Sequence, residues 1–138
     1  MKAFIDTSSL IKKYIAEKGS DEFDTTLKKI SEIIVSPVYI LEFHSAIQRR
    51  LKEKTLAAHQ AAWLLTEAKR DFHYYSQILW GEDLQQKAIE IIQKHHLKTL
   101  DSLQLASACL SQADIFITSD QKLFQTARQE LKNVKLIA

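Results

Sequence analysis

The chain has 138 residues, of which 19 are Lys or Arg and 17 are Asp or Glu, so its formal net charge is +2. Apolar residues make up 46% of the chain, whereas it has only two glycines, one proline and one cysteine. This composition is typical of a folded domain, and it excludes a disordered chain and an internal disulfide. The small net charge permits nucleic-acid binding only through a local basic patch.

No apolar run approaches the ~20 residues that a bilayer-spanning helix needs. The apolar run at the N-terminus ends at Asp6, which is too early for a signal peptide. We therefore expect a cytoplasmic protein with no membrane segment, organised as a single domain over residues 1–138.

The first half of the chain alternates short strands with helices. Runs of apolar and β-branched residues predict strands at residues 3–5 and 33–35. Helical spacing and capping residues predict four helices, at residues 9–17, 21–31, 37–52 and 55–72. The third of these helices is apolar on nearly all sides, which predicts that it is buried, yet it contains Glu42.

The second half of the chain continues this alternation. Aromatic and β-branched residues predict a strand within residues 74–80, and two more strands are predicted at 115–117 and 134–137. Helices are predicted at residues 81–96, 99–111 and 121–131. The helix at 99–111 is again apolar on most of its surface, although it carries Asp101. Alternating strands and helices predict a parallel sheet covered by helices on both faces, which is a three-layer α/β/α fold.

Four acidic residues occupy positions that need an explanation. Asp6 and Asp120 each follow a predicted strand, so in a parallel sheet they lie at the same edge, where α/β proteins bind ligands. Glu42 and Asp101 interrupt apolar helices, where an isolated carboxylate is costly. Several carboxylates in one place repel each other, and a hard divalent cation such as Mg²⁺ or Mn²⁺ reverses that cost. The four acids together therefore favour a metal site.

Each acid also has an ordinary structural explanation. Asp6 and Asp120 can cap the helices that follow them, and Asp101 can complement the dipole of its own helix. Glu42 can form a buried ion pair with a lysine or an arginine. A shared metal site explains all four positions at once. A phosphoaspartate hydrolase fits worse, because it requires a second acid two residues after Asp6, where Ser8 stands.

The four acids lie in motifs that resemble those of the PIN domain family. The motifs are FIDTS at residues 4–8, ILEF at 40–43, LDSLQLA at 100–106 and ITSD at 117–120. Their order and spacing agree with the family over nearly the whole chain. The resemblance implies a central parallel sheet of about five strands and a ribonuclease that depends on Mg²⁺ or Mn²⁺. A chain of this length resembles the toxin of a VapBC-type toxin–antitoxin pair, which implies a homodimer inhibited by a small antitoxin protein.

The same resemblance implies roles for individual residues. The catalytic and metal-binding acids would be Asp6, Glu42, Asp101 and Asp120, with Asp120 either binding metal directly or orienting a ligand. Thr118 would orient the site and Ser8 would support it.

Positive side chains have to offset the repulsion between these acids and an RNA backbone. Among the basic residues of the chain, Arg49 and Lys12 are singled out as candidates for RNA binding. Arg49 follows Glu42 by seven residues, which is two turns at ~3.6 residues per turn, so both lie on nearly the same helix face.

Two other functions remain open at this point. The first is a PIN-like nuclease that processes RNA and is not a toxin; a small antitoxin reading frame directly upstream of the gene would favour the toxin instead. The second is a catalytically silent PIN-like module that uses the same cleft to bind a partner. The complete set of four acids favours an enzyme over this silent module.

Overall fold

A five-stranded parallel sheet forms the centre of the molecule in a computed structural model that describes all 138 residues. The strands are β1 (Lys2–Ile5), β2 (Glu32–Val35), β3 (Ser76–Gln77), β4 (Ile115–Thr118) and β5 (Val134–Leu136). Their order across the sheet is β3-β2-β1-β4-β5, and every neighbouring pair is parallel. The predicted α/β fold with a central parallel sheet of about five strands is confirmed.

Seven helices cover the two faces of this sheet. They are α1 (Thr7–Leu10), α2 (Ser20–Leu27), α3 (Tyr39–Lys52), α4 (Ala58–Phe72), α5 (Glu82–His95), α6 (Thr99–Ser111) and α7 (Gln121–Glu130). None of them combines the length and the apolar content that crossing a membrane requires.

Alternation along β1 divides the core in two, because successive side chains of a strand point to opposite faces. Ala3 and Ile5 pack with buried residues of α1, α2, α3 and α4 on one face. Phe4 packs on the other face with buried residues of α5, α6 and α7, and its ring lies 5.7 Å from that of Phe116. Each face of the sheet thus has its own apolar cluster, as expected for three layers.

The first helix differs from the prediction of residues 9–17. Asp6 accepts the backbone N–H of Ser9 and so begins α1 at Thr7. The helix is only four residues long and continues as a 3-10 turn over Ile11–Lys13. The following residues leave the helix, and Tyr14 packs edge-on against Phe43 at 5.5 Å between ring centroids.

The helix that carries Glu42 also differs from the prediction. It begins at Tyr39, so Glu42 lies in its first turn and not deep within it. Leu41 is 72% exposed, so the helix is buried on one face only, whereas we expected burial on all sides. The helix that carries Asp101 behaves as predicted, since every residue from Ser102 to Ala108 is buried.

The order of the strands in the sheet creates a crevice next to β1. The chain passes outward through β2 and β3 on one side of β1 and then adds β4 and β5 on the other. The order reverses between β1 and β4, where Ile5 pairs with Ile117. In open α/β sheets such a reversal opens a crevice at the carboxyl ends of the strands. Asp6 and Asp120 both follow strands that end there.

Substitution of Gly19 tests how tightly the chain packs between α1 and α2. Its φ of +91° is left-handed, and an added Cβ would lie 2.9 Å from the carbonyl oxygen of Ala138. We expect Gly19→Ala to lower the free energy of unfolding by about 1–3 kcal/mol, which urea titration measures. Gly81 is the control, because its backbone is extended and a Cβ there meets nothing within 4 Å. Equal stability of the two alanine variants would contradict this account.

Candidate active site

A cleft of ≈ 750 Å³ opens at the carboxyl edge of β1 and β4. All four acids predicted from the sequence line it: Asp6, Glu42, Asp101 and Asp120. They come from four separate elements that meet only in the folded chain. The structure therefore brings the predicted site residues together at the crevice that the strand order creates.

Asp6 is the most buried of the four acids, with 4% of its surface exposed. Two hydroxyls donate to its carboxylate: Ser8 Oγ to Oδ1 and Thr118 Oγ1 to Oδ2, each at 2.6 Å. Burial raises the pKa of Asp6 to about 6, although these hydrogen bonds oppose the rise. The charge of nearby Glu42 raises it further. An ionised Asp6 is therefore costly in this cleft unless a positive charge compensates it.

The same two hydroxyls also fix the chain that leaves β4. Thr118 Oγ1 accepts the backbone N–H of Asp120 at 3.1 Å, and Ser8 Oγ accepts that of Ser119 at 3.0 Å. Each hydroxyl therefore donates to Asp6 and accepts from the loop that carries Asp120. This geometry orients the first acid relative to the fourth.

Glu42 lines the cleft without a basic partner. The amide nitrogen of Gln104 and the hydroxyl of Thr7 both donate to its Oε1 atom, the latter at 3.2 Å. No lysine or arginine forms an ion pair with it. Burial raises the pKa of Glu42, and the charge of Asp101 adds to this effect. The buried ion pair that the sequence left open for Glu42 is therefore absent.

Asp101 and Asp120 differ in how their oxygens are used. Asp120 caps α7, since its Oδ1 accepts the backbone N–H of Leu123 at 3.0 Å. Asp101 lies in the first turn of α6 and its side chain accepts no hydrogen bond from the protein. Burial and the charge of Asp120 raise the pKa of Asp101, against the opposing charges of Lys98 and Lys122. Asp101 therefore keeps both of its oxygens available to a ligand.

The oxygens of this cleft suit a hard divalent cation, although no three acids converge on one point. No group of three or more His, Cys, Asp or Glu side chains is close enough to hold a metal ion by itself. Mg²⁺ usually binds through one or two carboxylates and keeps several waters. Glu42 Oε2 and the carboxylate of Asp101 accept no hydrogen bond from the protein and are suitable ligands. The donor set therefore fits Mg²⁺ or Mn²⁺ bound partly through water.

The other end of the cleft is basic, but most of its charge is already paired. Lys12 and Arg50 both bind Glu17, at 3.2 and 3.0 Å, and each also donates to a backbone carbonyl. Burial opposes ionisation of Glu17, yet the bonds from Arg50 and Lys12 lower its pKa. Arg49 lines the same cleft, is exposed and has no ion-pair partner. Of the two predicted RNA-binding residues, Arg49 is thus free and Lys12 is engaged.

Several residues of the site were not predicted from the sequence. Thr7 and Gln104 contact Glu42, and the charges of Lys98 and Lys122 act on Asp101. The sequence does mark Gln104, because it is a long polar residue in the apolar run of α6, one turn after Asp101. It does not mark the two lysines, because exposed lysines are common in any sequence.

Comparison with protein-family models identifies the class of protein that this fold and cleft define. The model of the PIN domain matches residues 3–129, and the chain belongs to that family. The PIN domain family is a class of nuclease hydrolases. No curated protein matches the chain significantly.

Solved structures with the same fold cover nearly the whole chain. A toxin–antitoxin complex from Klebsiella pneumoniae matches with a TM-score of 0.69 and 18% identity, over 99% of this chain and 98% of that one. PAE2754 from Pyrobaculum aerophilum matches with a TM-score of 0.68 and 16% identity, over 95% of this chain and 88% of that one. VapBC2 from Rickettsia felis, bound to a DNA fragment from their promoter, matches with a TM-score of 0.69 and 12% identity over 100% of both chains. At these identities the likeness shows the fold.

The raised pKa of Asp6 predicts how stability depends on pH without metal. Folded Asp6 binds its proton more tightly than unfolded Asp6, whose ordinary pKa is 3.8, so the contribution of Asp6 to stability is largest at low pH and is lost as pH rises through about 6. We expect this to cost roughly 3 kcal/mol by neutral pH, since one pKa unit is about 1.4 kcal/mol. Asp6→Asn removes this contribution.

Urea unfolding in chelator, at about pH 4.5 and about pH 7.5, measures the effect in both proteins. The wild-type protein should lose more stability between the two pH values than Asp6→Asn does. An equal loss in the two proteins would contradict the costly ionisation of Asp6.

Proposed function

We propose that this protein is a metal-dependent endoribonuclease that hydrolyses RNA phosphodiester bonds. The observation that carries the proposal is the meeting of four acids in one cleft at the strand-order reversal of a PIN domain. The bare carboxylates repel each other and an RNA backbone, so they need a cation before they can act on a phosphate. We propose Mg²⁺ or Mn²⁺ as that cation.

Each part of the cleft has a proposed task in this reaction. Glu42, Asp101 and Asp6 would hold the cation, in part through water, and Asp120 would either bind it or orient another ligand. When bound, such a cation activates water and stabilises the charge that develops on the phosphate. Thr118 and Ser8 fix the orientation of the Asp6 carboxylate through their hydrogen bonds, so that it needs little reorganisation during the reaction.

Cleavage of RNA by the purified protein tests this function. We expect cleavage with Mg²⁺ or Mn²⁺ and none in chelator. Asp6→Asn or Asp101→Asn should reduce the metal-dependent rate at least about a hundredfold while the protein stays folded.

Asp83→Asn is the matched control, because it removes one exposed carboxylate of α5 that does not line the cleft. It should cleave RNA at the wild-type rate. Full cleavage in chelator, or by Asp6→Asn, would overturn the proposed function. If the protein binds a partner protein without metal and cleaves no RNA, the catalytically silent module is favoured instead.

We also propose that the protein acts in the cytoplasm as the toxin of a toxin–antitoxin pair, with a small antitoxin as its partner. The support is the fold that it shares with a toxin–antitoxin complex and with VapBC2. Its surface adds a second argument, since Trp63 on α4 is 61% exposed and Tyr74 just after α4 is 84% exposed. Aromatic side chains of this kind are enriched at protein–protein interfaces. A homodimer or an antitoxin helix would bury them.

From the sequence alone, Trp63, Leu64 and the aromatic cluster at residues 72–75 exceed what one helix and one strand need for their own core, which predicts a partner surface. The structure leaves a smaller surface exposed. Leu64 lies in the core, and Phe72 and Tyr75 pack against it. Their rings pack on Tyr39, with centroids 5.9 and 6.2 Å away. Leu64, Phe72 and Tyr75 therefore serve the interior, and Trp63, His73 and Tyr74 are the part of the predicted surface that remains exposed.

We further propose that Arg49 binds a backbone phosphate of the RNA. Its exposed guanidinium lines the cleft without an ion-pair partner, and its planar fork matches phosphate oxygens. Arg50 is the neighbouring control, because Glu17 and the carbonyl of Ala46 already occupy it.

In the Asp101→Asn background, which prevents cleavage, Arg49→Ala should weaken RNA binding and reduce the salt slope of log Kd by about 0.7. Arg50→Ala should leave that slope nearly unchanged, although it removes an ion pair. Fluorescence anisotropy with labelled single-stranded RNA across a salt series measures both. The same slope for the two variants would remove Arg49 from the RNA site.

A further inference from the structure

Gln104 lies in the most buried part of α6 and is the one long polar side chain there. All residues from Ser102 to Ala108 are buried, and Gln104 is 3% exposed. Its neighbours Leu103 and Leu105 belong to the apolar cluster beneath the sheet. Helical spacing places Gln104 one turn after Asp101, and it lines the same cleft. A polar group at such a position needs a partner, and the partner is Glu42.

Two donors meet at a single oxygen of Glu42. The amide nitrogen of Gln104 and Oγ1 of Thr7 both donate to Oε1. The other oxygen, Oε2, accepts no hydrogen bond from the protein. The two bonds therefore hold the carboxylate by one oxygen and leave the second free for a ligand in the cleft.

The chemistry of the donor suits this purpose. A lysine or an arginine at position 104 would neutralise Glu42 and compete with any cation in the cleft. An amide fixes the carboxylate through a hydrogen bond and leaves its negative charge intact. Gln104 thus orients Glu42 at no cost to the charge that attracts a cation.

The other end of the Gln104 amide has an energetic cost. The carbonyl oxygen of Gln104, Oε1, is buried and has no hydrogen-bond partner. A buried acceptor without a partner lowers stability, and an apolar side chain of the same length would avoid the loss. A buried glutamine whose carbonyl lacks a partner and whose amide contacts a site carboxylate is more readily explained by its effect on the site.

We propose that Gln104 is a positioning residue that fixes the orientation of the Glu42 carboxylate toward a divalent cation. This role rests on the proposed function, because it assumes that Glu42 binds the cation. Gln104 itself touches neither the cation nor the RNA. Its influence passes through Oε1 of Glu42, as outer-shell hydrogen bonds commonly orient metal ligands.

Mn²⁺ binding to the purified protein, measured by calorimetry, tests the proposal without relying on activity. Gln104→Met keeps the length of the side chain and removes the donor, and it should weaken Mn²⁺ binding about tenfold or more. The melting temperature without metal should hold or rise, because the unpartnered carbonyl is gone. Gln104→Leu is a second variant with the same expectation and a different shape.

Ser107→Ala is the matched control. Ser107 is fully buried on the same helix and its hydroxyl also lacks a partner, but it does not line the cleft. This variant should bind Mn²⁺ with the wild-type affinity. A crystal structure of Gln104→Met provides a further readout, in which the Glu42 carboxylate should leave its present orientation.

The possible results separate this inference from the function on which it rests. Wild-type Mn²⁺ affinity in both Gln104 variants, or an equal loss in Ser107→Ala, overturns the positioning role and leaves RNA cleavage by the wild-type protein unaffected. A loss of Mn²⁺ affinity confined to the Gln104 variants supports the role. If that loss occurs in a protein whose wild type cleaves no RNA, the positioning role stands and the proposed function fails.

Discussion

The hydrogen bond from Thr118 Oγ1 to Asp6 Oδ2 is the interaction on which the site depends. It joins the ends of β1 and β4, the two strands between which the sheet order reverses. Thr118 is fully buried and also receives the backbone N–H of Asp120, so one hydroxyl relates the first acid to the fourth. Because hydroxyls donate to Asp6 without neutralising it, the carboxylate stays oriented and keeps its negative charge available.

Helix beginnings explain how four acids can gather at this edge. Asp6 and Asp120 are the N-caps of α1 and α7, whereas Glu42 and Asp101 lie in the first turns of α3 and α6. The N-terminal end of a helix carries partial positive charge, which stabilises a nearby carboxylate. Asp6 and Asp120 therefore cap their helices, as the ordinary structural explanation predicted, and they also line the cleft. The acids are tolerated there because the helix ends offset part of their mutual repulsion.

Local signals in the sequence were enough to predict the sheet and the positions of the four acids. The apolar run of β1 followed by Asp6, and that of β4 followed by Thr118 and Asp120, are visible within a few residues. The resemblance to the PIN domain supplied the roles. Local pattern also misled at α3, where an apolar sequence at Leu41 indicated burial although that side chain faces solvent.

Contacts between distant residues could not be predicted from these patterns. Gln104 meets Glu42 across 62 positions of the chain, and Arg50 meets Glu17 across 33. No periodicity or cap encodes such pairs, because they depend on how whole helices dock on the sheet. Lys12 and Arg49 look alike in the sequence, and the positions of Glu17 and of the Lys18 carbonyl distinguish the paired cation from the free one.

The shortness of the two outer strands determines how this molecule can associate. β3 has two residues and β5 has three, so each rim of the sheet offers few backbone groups to a strand from another chain. Lys135 of β5 adds a charge that is paired with Glu22 of α2, and charged rims discourage pairing with further strands. Growth of the sheet from one molecule into the next is thereby disfavoured. Any association with another chain would therefore involve side chains of the helices more than the edges of the sheet.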